Sequence, residues 1–292
     1  MPEPGSHPHI ASRIGVCSWS LRPGSACELA GAVARFGLPS VQLALDPIRE
    51  NRLGWGEIET LHALACADIQ IPSGMMATLG EDYSTLESIA RTGGVRPDAT
   101  WGPNLRAAEQ NARLARRLGI HLVTFHAGFI PREPSAEREK IIRRLRQIVD
   151  MFDDVGVRVA FETGQESADT LLSALGELER PHAGVNFDPA NMILYGTGDP
   201  VIALGELLAR VVQVHVKDAK PTTRPGTWGE EVAAGTGAVD WTKFFDTLHT
   251  GGFAGMCMVE REAGEQRPED AIAARRLVEA HFRRLGGRGA MA

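Results

Sequence analysis

The chain lacks the marks of several protein classes. No run of about 18 apolar residues occurs, the length a bilayer-spanning helix needs, so no membrane span is expected. The opening residues, MPEPGSHPHIAS, hold no apolar stretch of the kind a secretory leader carries, and no leader is expected. There are four cysteines, Cys17, Cys27, Cys66 and Cys257, and none forms a CxxC pair. A zinc ribbon and a dithiol redox motif are thereby excluded. Unpaired thiols suit a reduced compartment, and a cytoplasmic location is expected. Basic residues form no block except from Arg138 to Arg146, where they alternate with apolar residues in a helical pattern. With a net charge of −6 and a pI near 5.9, a broad nucleic-acid footprint is disfavoured. No glycine-rich phosphate loop stands out, since Gly235-Thr-Gly237 is too short a signal.

What is present is an alternation. The 292 residues are 43% hydrophobic and 23% charged, ordinary for a globular protein with a sizeable core. Short apolar runs predict strands near Ile14–Ser18, Val41–Leu45, Ile69–Met76, His121–His126, Val157–Glu162, Ala183–Asp188, Val211–Val216 and Met256–Glu260. Between them, period-3.6 patterns predict helices, among them Ala26–Phe36, Trp55–Ala67, Asn104–Leu118, Glu133–Val155 and Pro268–Leu285. Gly37, Gly119 and Gly156 follow helical segments, where a left-handed cap is needed. Eight strand–helix units imply a parallel sheet able to close on itself. The expected fold is a single (β/α)8 TIM barrel over residues 10–285, an architecture of about 250 residues. Loose tails are expected at 1–9 and 286–292. Two connections are longer than a barrel needs, Leu79 to Pro103 and Asp218 to Val239, and long loops of this kind are functional walls or lids.

Four of the strands each end in one side chain able to bind a metal: Glu162, Asp188, His215 and Glu260. The spacings are 26, 27 and 45 residues, and the excess in the last is the long loop after the seventh strand. Side chains alternate along a strand, so Gln213, His215 and Lys217 share one face while Val212, Val214 and Val216 share the other. By the same parity Asn186 pairs with Asp188, Thr124 with His126 and Met258 with Glu260, all facing the lumen. A lone carboxylate at a strand end is most often a helix cap or a solvated group. Four in phase at the C-terminal strand ends, where barrel active sites sit, point instead to convergence.

Three carboxylates and an imidazole form an oxygen-rich donor set that favours Mn²⁺ or Mg²⁺, with Co²⁺ or Zn²⁺ possible. An open ion of this kind binds adjacent oxygens of a hydroxy-ketone and acidifies the C–H between them. A carboxylate on each side of that carbon can remove and return the proton. Lys217, one pleat above His215, is placed to balance charge that builds on a hydroxylated substrate.

The segments FETG (161–164), NFDPAN (186–191), VHVKDAK (214–220) and GFAGMCMVEREAG (252–264) resemble the xylose isomerase-like barrel superfamily, and within it the sugar phosphate isomerase/epimerase group. The resemblance is strong from His126 onward. It implies a (β/α)8 barrel with one divalent ion, often manganese, held by Glu162, Asp188, His215 and Glu260. The two glutamates would double as the acid/base pair. His126, in HAG, resembles the family's strand-four histidine, which contacts substrate. Trp19 matches an aromatic position that packs on substrate. Asn191 stands where several ketose 3-epimerases and the related apurinic-site endonucleases carry a histidine, a departure that counts against both assignments. Glu262 competes with Glu260 by alternation, and the spacing from Gly252 favours Glu260. Trp228 and Glu230, in the loop after the seventh strand, are candidates to cap the pocket.

The expected function is therefore a metal-dependent isomerase or epimerase of a sugar, sugar phosphate, cyclitol or keto-sugar, working by enediolate proton transfer. The main alternative is a lyase or dehydratase of the same fold, inosose dehydratase-like or cleaving 3-keto-glycosides, which shares the first step and differs in product mass. A remote alternative is a phosphodiesterase like the apurinic-site endonucleases, which needs extra histidines and a basic groove. A non-catalytic barrel would lack at least one of the four ligands. A small carbohydrate is the expected partner, and a dimer or tetramer fits the resemblance.

Overall fold

The computed structural model describes residues 13–289, so the tail expected at 1–9 lies outside the described residues. Its strands are β1 (Ile14–Cys17), β2 (Ser40–Ala44), β3 (Gln70–Met75), β4 (Leu122–Phe125), β5 (Arg158–Glu162), β6 (Gly184–Phe187), β7 (Val211–Val216), β8 (Asp218–Lys220), β9 (Glu230–Val232) and β10 (Met256–Val259). Eight of them close into a parallel barrel in the order β1-β10-β7-β6-β5-β4-β3-β2. The two others, β8 and β9, form an antiparallel hairpin above it. Every predicted barrel strand is present within a residue or two of its expected ends.

The helices around the barrel are α1 (Ala26–Arg35), α2 (Asp46–Arg49), α3 (Glu57–Cys66), α4 (Leu86–Thr92), α5 (Asp98–Arg117), α6 (Ala136–Asp153), α7 (Ala168–Leu178), α8 (Pro189–Tyr195), α9 (Pro200–Leu207), α10 (Trp241–Thr250) and α11 (Arg267–Gly289). Several of them start at side-chain caps. Ser25 accepts from the Glu28 N–H to begin α1, and Ser135 accepts from the Arg138 N–H to begin α6. The apolar stripe of α6 (Ile141, Ile142, Leu145, Ile148, Val149, Phe152) is fully buried against the sheet. Outward-facing barrel residues such as Val123, Phe161, Val185, Phe187, Val214 and Val216 meet these stripes and form one continuous core.

Two boundaries differ from expectation. Helix α5 starts at Asp98 rather than Asn104, and Pro103 lies inside it. A proline normally stops a helix. Here Arg144 of α6 ties that first stretch down, donating to Val95 O at 2.9 Å, Arg96 O at 2.8 Å and Asp98 Oδ1 at 2.5 Å, with its guanidinium over the Trp101 ring. Helix α11 continues to Gly289, past the tail boundary placed after Leu285.

The long loop after β7 is folded. The buried Asp218 carboxylate accepts from the backbone N–H groups of Ala219, Gly235, Gly237 and Val239 and from Trp241 Nε1, at 2.9 to 3.2 Å. Five donors on one carboxylate fix the hairpin and its return to α10. Glu231 fixes its other side, accepting from Arg261 Nη1 at 2.7 Å and from the N–H of Glu262 at 2.8 Å.

Asp218→Ala would strand five donors beneath the hairpin. We expect a loss of about 3 kcal/mol in urea unfolding, and faster proteolytic cleavage within residues 221–229.

Candidate metal centre and active site

The barrel lumen is polar where most barrels are packed with branched apolar residues. Gln42, Ser73, Thr124, Asn186, Gln213 and His215 all point inward and have no exposure. Register explains how they meet: Gln42 lies beside Ser73 on the next strand, and Asn186 beside both Glu162 and Gln213. Two hydrogen-bonded chains result. In one, His215 Nε2 donates to Gln42 Oε1 at 2.8 Å while Gln42 Nε2 donates to Thr124 Oγ1 at 2.8 Å. In the other, Ser73 Oγ donates to Gln213 Oε1 at 2.6 Å, Gln213 Nε2 to Asn186 Oδ1 at 3.2 Å, and Asn186 Nδ2 to Glu162 Oε2 at 3.1 Å.

Above these chains the four strand-end residues come together. One ligand-type atom from each of Glu162, Asp188, His215 and Glu260 lies within 4.8 Å of all the others. His215 Nδ1 is 3.4 Å from Glu162 Oε1, 3.6 Å from Asp188 Oδ2 and 3.3 Å from Glu260 Oε2. Asp188 uses one oxygen as a helix cap, accepting from the N–H groups of Ala190 and Asn191 at the start of α8. Its other oxygen, with His215 Nδ1 and Glu260 Oε2, is buried and makes no hydrogen bond. Asp188 Oδ2 and His215 Nδ1 are what a bound cation would satisfy, and Glu260 Oε2, which also pairs with Lys217, faces the same point. The donor set fits one divalent ion.

The neighbouring side chains orient this cluster. Asn191 Nδ2 donates to Glu162 Oε1 at 2.9 Å, and Trp19 Nε1 donates to Glu260 Oε1 at 2.7 Å. Lys217 Nζ sits 3.0 Å from Glu260 Oε2, 2.5 Å from Glu262 Oε2 and 3.3 Å from Asn191 Oδ1. His126 Nε2 lies 3.7 Å from Glu162 Oε1, and its buried Nδ1 is unbonded. Gly164 has φ +139°, and a Cβ there would fall 2.5 Å from Asn191 Cβ, so the chain leaving β5 passes Asn191 only as glycine.

Charge in the cluster is mutually supported. Burial raises the Glu162 carboxyl, but His215 and then His126 outweigh it and hold it below its ordinary range. Burial likewise acts on Glu260, where Lys217 and then His215 win and hold it low. Burial disfavours protonated His215, yet Glu162 and Glu260 push its pKa well above the ordinary value. Beneath the ring, Cys17 Sγ is 3.7 Å from His215 Nε2, and burial pushes the thiol up to about 12, so no thiolate competes as a ligand.

Beside the cluster opens a cavity of ≈ 310 Å³, walled by the mouths of β1 to β4. Trp19, His126 and Glu262 line it together with Met75, Met76, Thr78, Glu81 and Tyr83. The long loop after β3 thus forms one wall, with α4 folded behind it.

Of the sequence-derived candidates, the structure brings together Glu162, Asp188, His215, Glu260, Lys217, Asn191, Trp19 and His126. Two others are corrected. Glu230 is exposed on β9, because strand parity turns Glu231 toward Arg261 and Glu230 to the other face. Trp228 packs edge-on against Tyr195, with ring centroids 4.9 Å apart, and does not line the cavity. Sequence reasoning missed Gln42 as the support of His215. It also missed Glu166, a buried carboxyl with neither oxygen bonded, which burial pushes up to about 8.

The model of the xylose isomerase-like TIM barrel family matches residues 30–281. L-ribulose-5-phosphate 3-epimerase UlaE of Shigella boydii serotype 18 is 25% identical over 265 residues, spanning 86% of this chain and 88% of that protein. The crystal structure of a xylose isomerase domain protein from Planctomyces limnophilus superposes with a TM-score of 0.83 at 30% identity, over 94% of this chain and 98% of that one. The structure of L-ribulose 3-epimerase shares the fold with a TM-score of 0.73 at 14% identity, over 96% and 97% of the two chains.

Glu166 has a folded-state pKa above the ordinary carboxyl value of 4.5, so it removes stability once the pH rises above that value, until the penalty levels off above about 8. Glu166→Gln should therefore unfold at higher denaturant than the parent at pH 9, by on the order of 1–3 kcal/mol, with the gap closing near pH 5.

Proposed function

The chain belongs to the xylose isomerase-like TIM barrel family, and we propose that it is a divalent-metal-dependent epimerase or isomerase of a sugar, moving a proton at the carbon beside a carbonyl. The observation that carries this reading is the buried convergence of Glu162, Asp188, His215 and Glu260, in which Asp188 Oδ2 and His215 Nδ1 make no hydrogen bond. In this reading Glu162, Asp188, His215 and Glu260 hold the ion, with manganese favoured by the donor set and magnesium next. Bound there, the ion would supply Lewis acidity toward adjacent oxygens of a hydroxy-ketone.

The protein's own groups do the rest. Glu162 and Glu260 take and return the proton from opposite faces of the reacting carbon. Neighbouring cations hold both carboxyls low, so the one that returns a proton must first take it up from solvent, and each is aimed by a donor: Asn191 and Asn186 on Glu162, Trp19 on Glu260. Lys217 offsets negative charge gathering on the substrate oxygens, from a position between Glu260 and Glu262. His126 lines the cavity with a free ring nitrogen suited to a substrate hydroxyl. Epimerisation is favoured over elimination by the sequence relative, whose name records 3-epimerase activity on L-ribulose 5-phosphate.

Glu162→Gln and Glu260→Gln should each lower turnover by about 10²–10⁴-fold while metal stays bound, read as solvent deuterium entering a keto sugar. Unchanged product mass would separate this from a dehydratase. If either variant turned over near the parent rate with metal loaded, the paired acid/base roles would be wrong.

His215 must give up its Nδ1 proton to become a ligand. The neighbouring carboxylates raise its pKa and so favour that proton in metal-free protein. Calorimetry in buffers of different ionisation enthalpy should show about one proton released on manganese binding, with affinity rising as the pH increases. Gln42 holds Nε2–H and so leaves Nδ1 for the ion; Gln42→Leu should weaken manganese binding about 10–100-fold.

A further inference from the structure

The cavity beside the cluster is acidic on every side that carries charge. Asp46, Glu81 and Glu262 line it, and no lysine or arginine does. The buried cluster adds Glu162, Asp188 and Glu260 at its floor. Most cations behind the wall are already matched, the exception being Arg267 near Glu262, which donates only to the Gly264 carbonyl. Lys217 lies between Glu260 and Glu262. Arg49 is 2.9 Å from Asp46 Oδ1 and 2.8 Å from Glu50 Oε1. Arg22 pairs with Glu265 at 3.5 Å. Even with a doubly charged ion in place, the lining and floor keep net negative charge.

Several backbone donors near this wall are already taken. Free N–H groups in loops are the usual cradle for a phosphate. Here the protein's own carboxylates occupy some of those on this wall. Asp46 Oδ2 accepts from the Ala77 N–H at 2.7 Å, and Glu81 Oε1 accepts from the Gly94 N–H at 3.0 Å. The Leu79 N–H is taken by Asn104 Oδ1 at 2.7 Å. Glu81 also accepts from the hydroxyls of Thr78 and Tyr83. A dianion placed among these groups would meet three carboxylates at short range and no lysine or arginine of the lining, with the His126 ring as the one side-chain donor left free. Sugar hydroxyls, by contrast, donate well to carboxylates and rest on the apolar faces of Trp19, Met75 and Met76.

We infer that the substrate of this site is a neutral, unphosphorylated polyhydroxy ketone. This rests on the sugar-epimerase reading for the word ketone, and on the cavity alone for the absence of phosphate.

The test separates the two. Manganese-loaded protein is titrated with ribitol and with ribitol 5-phosphate, which carry no carbonyl and so report binding without chemistry, following tryptophan fluorescence from Trp19. Ribitol should bind in the millimolar range or tighter, and the phosphate should bind at least about tenfold more weakly, with the gap shrinking at high salt. Glu262→Gln removes one wall charge and should narrow the gap roughly threefold. Phosphate binding as tight as or tighter than that of ribitol overturns the inference, and so does failure of ribitol to bind. Deuterium uptake is then measured separately with L-ribulose and its 5-phosphate. Discrimination against phosphate in binding, with no deuterium entering any keto sugar, would leave this inference standing and remove the proposed function.

Discussion

Three carboxylates buried around one imidazole are the constraint to which the upper half of the barrel answers. Their oxygens lie 3.3 to 3.6 Å from His215 Nδ1. At such separations in a poorly hydrated interior, uncompensated like charges would drive the carboxyls to protonate or the strand ends apart. Within the chain, compensation comes from His215 and Lys217, the only two cationic groups in ion-pair contact with Asp188 and Glu260 among the described residues. The arrangement is stable as a charged set only while something positive stays at its centre, a proton on the ring or an ion in its place.

That requirement explains the polar lumen. A carboxylate whose orientation drifts loses the compensation, so each is held from outside the cluster. Asn186 and Asn191 hold Glu162, the first turn of α8 holds Asp188, and the Trp19 indole holds Glu260. The holding residues are themselves held, down through Gln213 to Ser73 and across through Gln42 to Thr124. The donors in these chains come from four strands, β2, β3, β6 and β7, so the network is complete only in the closed barrel. Apolar packing of the lumen would have removed the desolvation cost of these amides and with it the fixed geometry above them.

Much of this was legible in the chain itself. Branched apolar runs located all eight barrel strands, and period-2 parity correctly turned Asn186, Gln213, His215 and Met258 inward. Phase placed Glu162, Asp188 and His215 at the strand ends, while alternation left Glu260 and Glu262 as rivals and the family resemblance chose Glu260. What stayed hidden depended on register or on tertiary contact. Gln42 is an unremarked glutamine until β2 is placed across the lumen from β7. Helix α5 runs through Pro103 because Arg144, some forty residues later, secures its first turn. Parity within β9 separates Glu231 from Glu230, and a loop hairpin of three-residue strands gives too short a pattern to read that parity beforehand. Glu166 carries no signal in the sequence, since nothing in FETGQES says that its carboxyl is shut away from water.

The two halves of the chain divide the labour. The four ligand-type residues come from β5, β6, β7 and the end of β10, all after residue 157, whereas the cavity wall is drawn mostly from residues 19 to 83. Trp19 spans the seam, its indole reaching Glu260 across 241 positions of sequence. Such a layout lets natural variation rewrite which molecule is admitted while the proton-moving apparatus stays untouched. A lineage could thus change diet through its amino-terminal loops alone, and hybrid barrels joined near residue 120 are where that modularity would surface.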